Sequence, residues 1–81
     1  MKNQSIDAIA AFINSNQIQP GLIPVPVDLI VKKIQEANPA IPVTKASVGR
    51  QLTKAFIKKQ QYGTWGDVSG LCQCYYFNKS I

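Results

Sequence analysis

The sequence lacks histidine, the side chain that most often activates a nucleophile and one of the commonest zinc ligands. Its two cysteines, Cys72 and Cys74, are two residues apart, so on a strand they face the same way and are poorly placed for a disulfide. Two cysteines without histidine also fall short of the four ligands of a structural zinc site. We therefore expect two reduced, half-buried cysteines, no metal and no other cofactor.

Acidic residues are also few, and they are scattered along the chain: Asp7, Asp28, Glu36 and Asp67. No two carboxylates lie close enough in sequence to indicate an acid–base pair or a two-metal site. No glycine-rich loop ends in Lys-Ser or Lys-Thr, so a nucleotide-phosphate cradle is not expected. The sequence predicts a protein that is not an enzyme and has no small-molecule substrate.

Long apolar segments are missing as well. No run approaches the roughly 18 residues of a membrane-spanning helix. The first residues lack the apolar block and the small-residue cleavage site of a signal peptide. These absences predict a cytoplasmic protein without a membrane partner.

The charge balance is basic. The 81 residues, enough for a single domain over 1–81, carry nine Lys and Arg against four Asp and Glu, a net charge of +5. No acidic residue lies between Glu36 and Asp67, whereas five basic residues lie in that interval. Such a surplus favours a phosphate-rich partner, although a basic protein without a polyanion partner shows the same surplus.

Three helices are predicted from apolar spacing and caps. The first runs from Ser5 to Asn16 or Gln17, and the second from about Pro26 to Ala37. Thr44 is expected to cap a third helix that extends from Lys45 to about Phe56. Gly49 lies inside this third helix, where glycine costs roughly 1 kcal/mol relative to alanine, so we expect another helix or a ligand backbone to approach it closely.

The remaining segments predict strands. Residues 22–26 must be extended because they alternate with proline, and residues 40–43 are expected to form a short edge strand. Residues 57–62 and 71–77 predict two strands, separated by a glycine-rich loop over 63–70. The sequence thus predicts an α+β domain with three helices and a small antiparallel sheet that contains a hairpin with a long tip.

The predicted order of helix, helix, short strand, helix, strand, loop and strand is that of a winged helix-turn-helix. The segments 25–29, 42–52, 63–66 and 75–77 resemble regulatory factor X-type domains and the C-terminal domain of phage, plasmid and poxvirus-type primase-helicases. The chain departs from these families at Val48, where they have phenylalanine, and at Trp65, where an arginine is usual. The resemblance implies a β-hairpin wing and a DNA-binding role in replication of a phage, plasmid or other mobile element. It also implies binding at an origin, a fork or a single strand, with a replicative helicase or primase as a further partner.

Candidate contact residues follow from the basic interval. On the third helix, one face carries residues that can reach phosphates or base edges: Lys45, Ser47, Arg50, Gln51 and Lys54. Lys58 and Lys59 on the next strand are predicted phosphate contacts, although lysines also protect edge strands against self-pairing. Trp65 is predicted to stack on an unpaired base, unless it folds back over the small core. Asp67 near the loop tip would repel phosphate.

Two other functions remain open from the sequence. The isoleucine-rich first helix could form a dimer seam or dock on a replication helicase, which would make the chain a protein-interaction module. The chain could also be a small transcriptional repressor, which would need dimerisation and base-specific contacts. The sequence leaves open whether the ligand is single-stranded DNA, duplex DNA or RNA.

Overall fold

The computed structural model describes residues 4–81. The elements in this part of the chain are α1 (Gln4–Ser15), β1 (Pro20–Pro26), α2 (Val27–Ala37), α3 (Lys45–Leu52), β2 (Lys58–Trp65) and β3 (Val68–Phe77). The strands form one antiparallel sheet in the order β1-β3-β2. The predicted α+β class with three helices and a small antiparallel sheet is confirmed, and the arrangement is compatible with a winged-helix-like fold.

The helices bury apolar residues in the core, although Ile6 and Ala10, expected on the buried face of the first helix, are exposed. Ala8 and Ile9 of α1 and Ile30 and Ile34 of α2 are buried. At the start of α3, the Thr44 side chain accepts a hydrogen bond from the backbone of the third helical residue, whose own side chain reaches back to the Thr44 amide. This reciprocal capping box satisfies donors that the first helical turn leaves free.

The central strand β3 supplies the middle of the core. Tyr75 and Phe77 are fully buried, and the ring of Phe56 meets that of Phe77 edge-on at a centroid distance of 5.0 Å. Val48 and Leu52 of α3 close the core from the helical side. Of the two cysteines, Cys74 is buried and Cys72 is half-buried, and both are free thiols. Burial raises the pKa of the Cys74 thiol.

The short edge strand predicted at 40–43 is wrong. The backbone of that segment is instead hydrogen-bonded to the side chain of Gln35 on α2. The Gln35 side-chain NH₂ donates to the Ile41 carbonyl at 2.8 Å, and the Gln35 side-chain oxygen accepts from the Val43 amide at 3.0 Å. The edge strand is β1, which comes before α2 and contains the proline-alternating residues 22–26. Proline is tolerated there because the outer side of an edge strand needs no ladder donors.

Two further predictions are corrected. Helix α3 ends at Leu52 rather than Phe56, and the chain then turns before β2. The loop predicted over 63–70 is only a two-residue turn at Gly66 and Asp67, because both strands continue to it. Gly66 has a φ of +60°, which suits the first central position of a II′ hairpin turn. Gly63 lies within β2, and this position requires glycine because an added Cβ would lie 2.6 Å from a ring carbon of Trp65.

The buried hydroxyl of Tyr75 joins the sheet to α3. It lies 3.0 Å from the Thr53 hydroxyl and donates to the Gly49 carbonyl at 3.2 Å. A Cβ on Gly49 would lie 3.3 Å from this hydroxyl, which is tighter than an ordinary contact. The close approach at Gly49 is therefore made by a tyrosine side chain of the sheet and not, as expected, by another helix, and it fixes the height of α3 above the sheet.

Replacing Tyr75 by phenylalanine should lower the free energy of unfolding by about 1–2 kcal/mol, since it removes the hydroxyl that bonds to α3 while keeping the ring. The neighbouring Tyr76→Phe is the matched control, because its hydroxyl makes only a 3.4 Å contact with the exposed Gln61 side chain. We expect that variant to remain within about 0.5 kcal/mol of the parent. Urea unfolding of both variants measures the difference, and equal losses would refute the special role of the Tyr75 hydroxyl.

Candidate nucleic-acid interface

A groove of about 280 Å³ separates α3 from the hairpin. Its lining comes from both elements and from the start of α2: Val27, Lys45, Ala46, Gly49, Lys58, Gln73 and Tyr75. The small residues Ala46 and Gly49 keep the helical wall low. Two of the predicted cations, Lys45 and Lys58, therefore stand at the same groove although they come from different elements.

The outer face of α3 carries the next group of predicted residues. At 3.6 residues per turn, Arg50 lies on the side of the helix opposite Val48 and Leu52, and it is exposed. Within residues 4–81 its guanidinium has no ion-pair or hydrogen-bond partner. Lys54 follows in the turn after the helix, where its ammonium lies 3.5 Å from the side-chain amide oxygen of Gln51. This face is open to a ligand.

Lys58 and Lys59 are both exposed and point to opposite faces of the hairpin. Lys58 is paired with Tyr75 and Lys59 with Cys74. Directly opposed residues share a face, so Lys58 lies on the α3 side of the sheet and Lys59 on the other. Neither ammonium has an ion-pair partner in the described part of the chain. The structure thus brings Lys58, but not Lys59, to the groove.

Two predicted contact residues are already engaged. The Ser47 hydroxyl donates to the Thr44 carbonyl at 2.9 Å and accepts from the Thr44 amide at 3.1 Å, so it serves the helix cap. Lys45 forms an ion pair with Asp28 of α2, and this hydrogen bond and charge raise the pKa of Lys45. This pair is not predictable from the sequence, because nothing in the sequence brings α2 and α3 together at that point.

Trp65 folds back rather than standing free. Its indole N–H donates to the Pro24 carbonyl of β1 at 3.1 Å, its ring packs on Gly63, and the residue is half-buried. The hairpin therefore curls so that its end reaches β1 and α2. Of the two outcomes considered for Trp65, base stacking or folding back, the geometry matches the second.

The tip of the hairpin is attached to α2 by an ion pair. The Lys32 ammonium donates to the Asp67 carboxylate at 2.9 Å, and a cavity of about 330 Å³ beside it is lined by residues that include Leu29, Lys33 and Ile81. The bond to Lys32 and its charge lower the pKa of Asp67, and Asp67 in turn raises the pKa of Lys32. The one acidic residue of the hairpin is thus neutralised and held away from the groove beside α3.

Gln73 is a groove residue that was not among the predicted contact residues. Gln73 is exposed because the hairpin extends beyond α3. The sequence does carry a signal for it, because Gln73 and Tyr75 are two residues apart and therefore lie on the same face of β3.

Other kinds of site find little support in residues 4–81. No group of three or more His, Cys, Asp or Glu side chains in this range could hold a metal ion. None of the helices in the same range is long and apolar enough to cross a membrane. Comparisons of the chain with models of known protein families, with curated proteins and with solved structures give no match.

The ion pair at the hairpin tip predicts how Asp67 titrates. Because its folded pKa lies below the ordinary value of 3.8, the stabilisation is complete above that value and is lost as the pH falls through the lower, folded pKa. An NMR titration should show a midpoint for Asp67 below 3.8, and Lys32→Gln should return it to the ordinary value. The matched control is Lys33→Gln, which removes the adjacent lysine and should leave the midpoint unchanged. A midpoint insensitive to Lys32→Gln would rule out the pairing in solution.

Proposed function

We propose that this chain is a winged-helix protein that binds nucleic acid with the outer face of α3 and the adjoining start of β2. In this reading β2, β3 and their turn are the wing, and α3 is the helix that faces the ligand. Lys58 stands at the groove where the two meet. The contact surface consists of Arg50, Lys54 and Lys58, with Lys59 on the reverse of the hairpin reaching a neighbouring phosphate.

The observation that supports this proposal most directly is the separation of charge. All four acidic residues lie outside α3 and outside β2, and two of them, Asp28 and Asp67, are paired with lysines. The four cations Arg50, Lys54, Lys58 and Lys59 have no acidic partner in residues 4–81. Unpaired cations grouped on adjoining elements are the electrostatic footprint of a polyanion-binding surface.

Binding through these groups would be mainly to the backbone. Lysines contact phosphates as point charges, and only Arg50 on α3 has the fork geometry that reads a guanine edge. Ser47 contributes by capping α3 and not by contacting bases. A protein of this kind would dock by charge on an origin, a fork or a single strand during replication of a phage, plasmid or other mobile element. A replicative helicase or primase would be its natural partner, as the family resemblance implies.

Salt dependence tests the proposal. If four phosphates are neutralised on duplex DNA, log K should fall with log salt with a slope of roughly −3.6, and on a single strand roughly −2.8. Fluorescence anisotropy with labelled duplex and single-stranded oligonucleotides of matched sequence gives both slopes. A slope near zero on both ligands, or no binding at low salt, would contradict the proposal.

Two variants that each remove one positive charge test where the nucleic-acid-binding surface lies. Arg50→Ala should weaken binding and reduce the magnitude of the duplex slope by about 0.9, because one phosphate contact is lost. Lys33→Ala removes the same charge from α2, beside the hairpin tip rather than the groove, and should leave the slope nearly unchanged. Equal effects of the two variants would show that net charge, and not this surface, governs binding.

A further inference from the structure

The sheet has one blocked edge and one open edge. Strand β1, at one side of the order β1-β3-β2, contains Pro20, Pro24 and Pro26, which cannot donate to a further strand. Strand β2, at the other side, contains no proline over its length of eight residues. Only the β2 edge is therefore suited to accept another strand.

The register identifies which backbone groups face that open edge. The Tyr76 amide donates to the Ile57 carbonyl at 3.2 Å, so this pair is hydrogen-bonded across β2 and β3. Hydrogen-bonded and non-bonded pairs alternate in an antiparallel ladder. The backbone amides and carbonyls that point away from β3 are consequently those of Lys58, Gln60, Tyr62 and Thr64. In the described part of the chain only one of these groups, the Tyr62 carbonyl, has a partner, the Gln61 side chain at 3.3 Å.

An apolar pair lies beside this edge. Tyr62 is 74% exposed and Leu71 is 50% exposed, and the two are directly opposite each other in the hairpin. They share the face that carries Tyr75, but they lie beyond α3 and so have nothing to pack against. A strand added at the edge would cover part of this surface.

We propose that a second copy of the chain occupies the β2 edge, with the two β2 strands antiparallel and the two-fold axis passing at Gln61. In this register Lys58 is opposite Thr64 of the other copy, and Gln60 is opposite Tyr62. Each of these pairs joins two residues whose backbone groups face outward, so all four outward residues of both copies are satisfied. The two sheets become one six-stranded sheet, a closed isologous contact.

The lysines favour this closed arrangement over open-ended stacking. The two Lys58 side chains are separated by six residue positions, or roughly 20 Å at 3.3 Å per residue, which is beyond the screening length of about 8 Å at physiological salt. A parallel, in-register stack would instead place identical lysines about 5 Å apart. Across the axis the two Tyr62 rings are diagonal neighbours, close enough for aromatic side chains to touch. This inference is independent of nucleic-acid binding.

Introducing a charged residue at Gln61 tests the register, because the Gln61 residues of the two copies are directly opposite each other at the two-fold axis. Sedimentation velocity from about 1 μM to about 1 mM should show the wild-type chain forming a dimer. Gln61→Glu and Gln61→Lys should each weaken the dimer at least about tenfold, since like charges become directly opposed. An equimolar mixture of the two variants should restore it. Gln19→Glu, which makes the same charge change just before β1, should dimerise like the wild type.

Amide hydrogen exchange provides a readout without any substitution. The amides of Gln60, Tyr62 and Thr64 should be protected only at concentrations where the dimer forms, whereas those of Gln61 and Gly63 are protected at all concentrations. The proposal is overturned by a wild-type chain that stays monomeric to about 1 mM, or by a dimer whose affinity is unchanged in both Gln61 variants. It is also overturned if the outward β2 amides become protected only when an acidic peptide, hexaglutamate, is added as a different occupant of the edge.

Discussion

The hydrogen bonds of the buried Tyr75 hydroxyl are the constraint on which the arrangement of the proposed interface depends. They tie the central strand to the Gly49 carbonyl and the Thr53 side chain at the end of α3. A buried hydroxyl without a partner would cost roughly 1–3 kcal/mol, so α3 cannot slide along the sheet without a penalty. Because β2 is paired with the same strand, the position of Lys58 relative to α3 is set by one side chain. The absence of a Cβ at Gly49 leaves room for that hydroxyl to approach.

A second set of contacts shapes the hairpin. The Trp65 indole reaches Pro24 across the sheet, and Asp67 reaches Lys32 on α2. Exposed ion pairs contribute little by themselves, so the ion pair directs the curl of the hairpin more than it stabilises the fold. Its consequence is electrostatic, since the acidic tip is neutralised against α2 while Lys58 faces α3. Tyr62 and Leu71 remain exposed beyond α3, on the face of the sheet that carries Tyr75, and the inferred dimer covers part of this surface.

Local signals in the sequence were enough to predict three helices, although not the end of α3, and non-local contacts account for the errors at 40–43 and at the hairpin tip. The Thr44 cap, the apolar spacing of α2 and the extended 22–26 segment are all found in the structure. The strand expected at 40–43 does not form, because the side chain of Gln35 on α2 forms hydrogen bonds with the backbone of that segment. The long loop expected at the tip does not form, because Gly63 packs against the Trp65 ring within β2 and is not a loop residue. At the candidate site, exposure of Arg50 followed from helical spacing, whereas Lys54 lies beyond the end of α3. The pairing of Lys45 with Asp28 depended on how α2 and α3 pack.

The central claim is that cations from α3 and from the start of β2 act together as one binding surface. Two-dimensional NMR of the labelled chain, titrated with a short DNA duplex and then with a single strand, tests this claim residue by residue. The account predicts that the amide shifts change most over residues 45–60, with little change in α1 or at the hairpin tip. Changes confined to α1 or to the Gly66–Asp67 turn, or no change with either ligand at low salt, would contradict it.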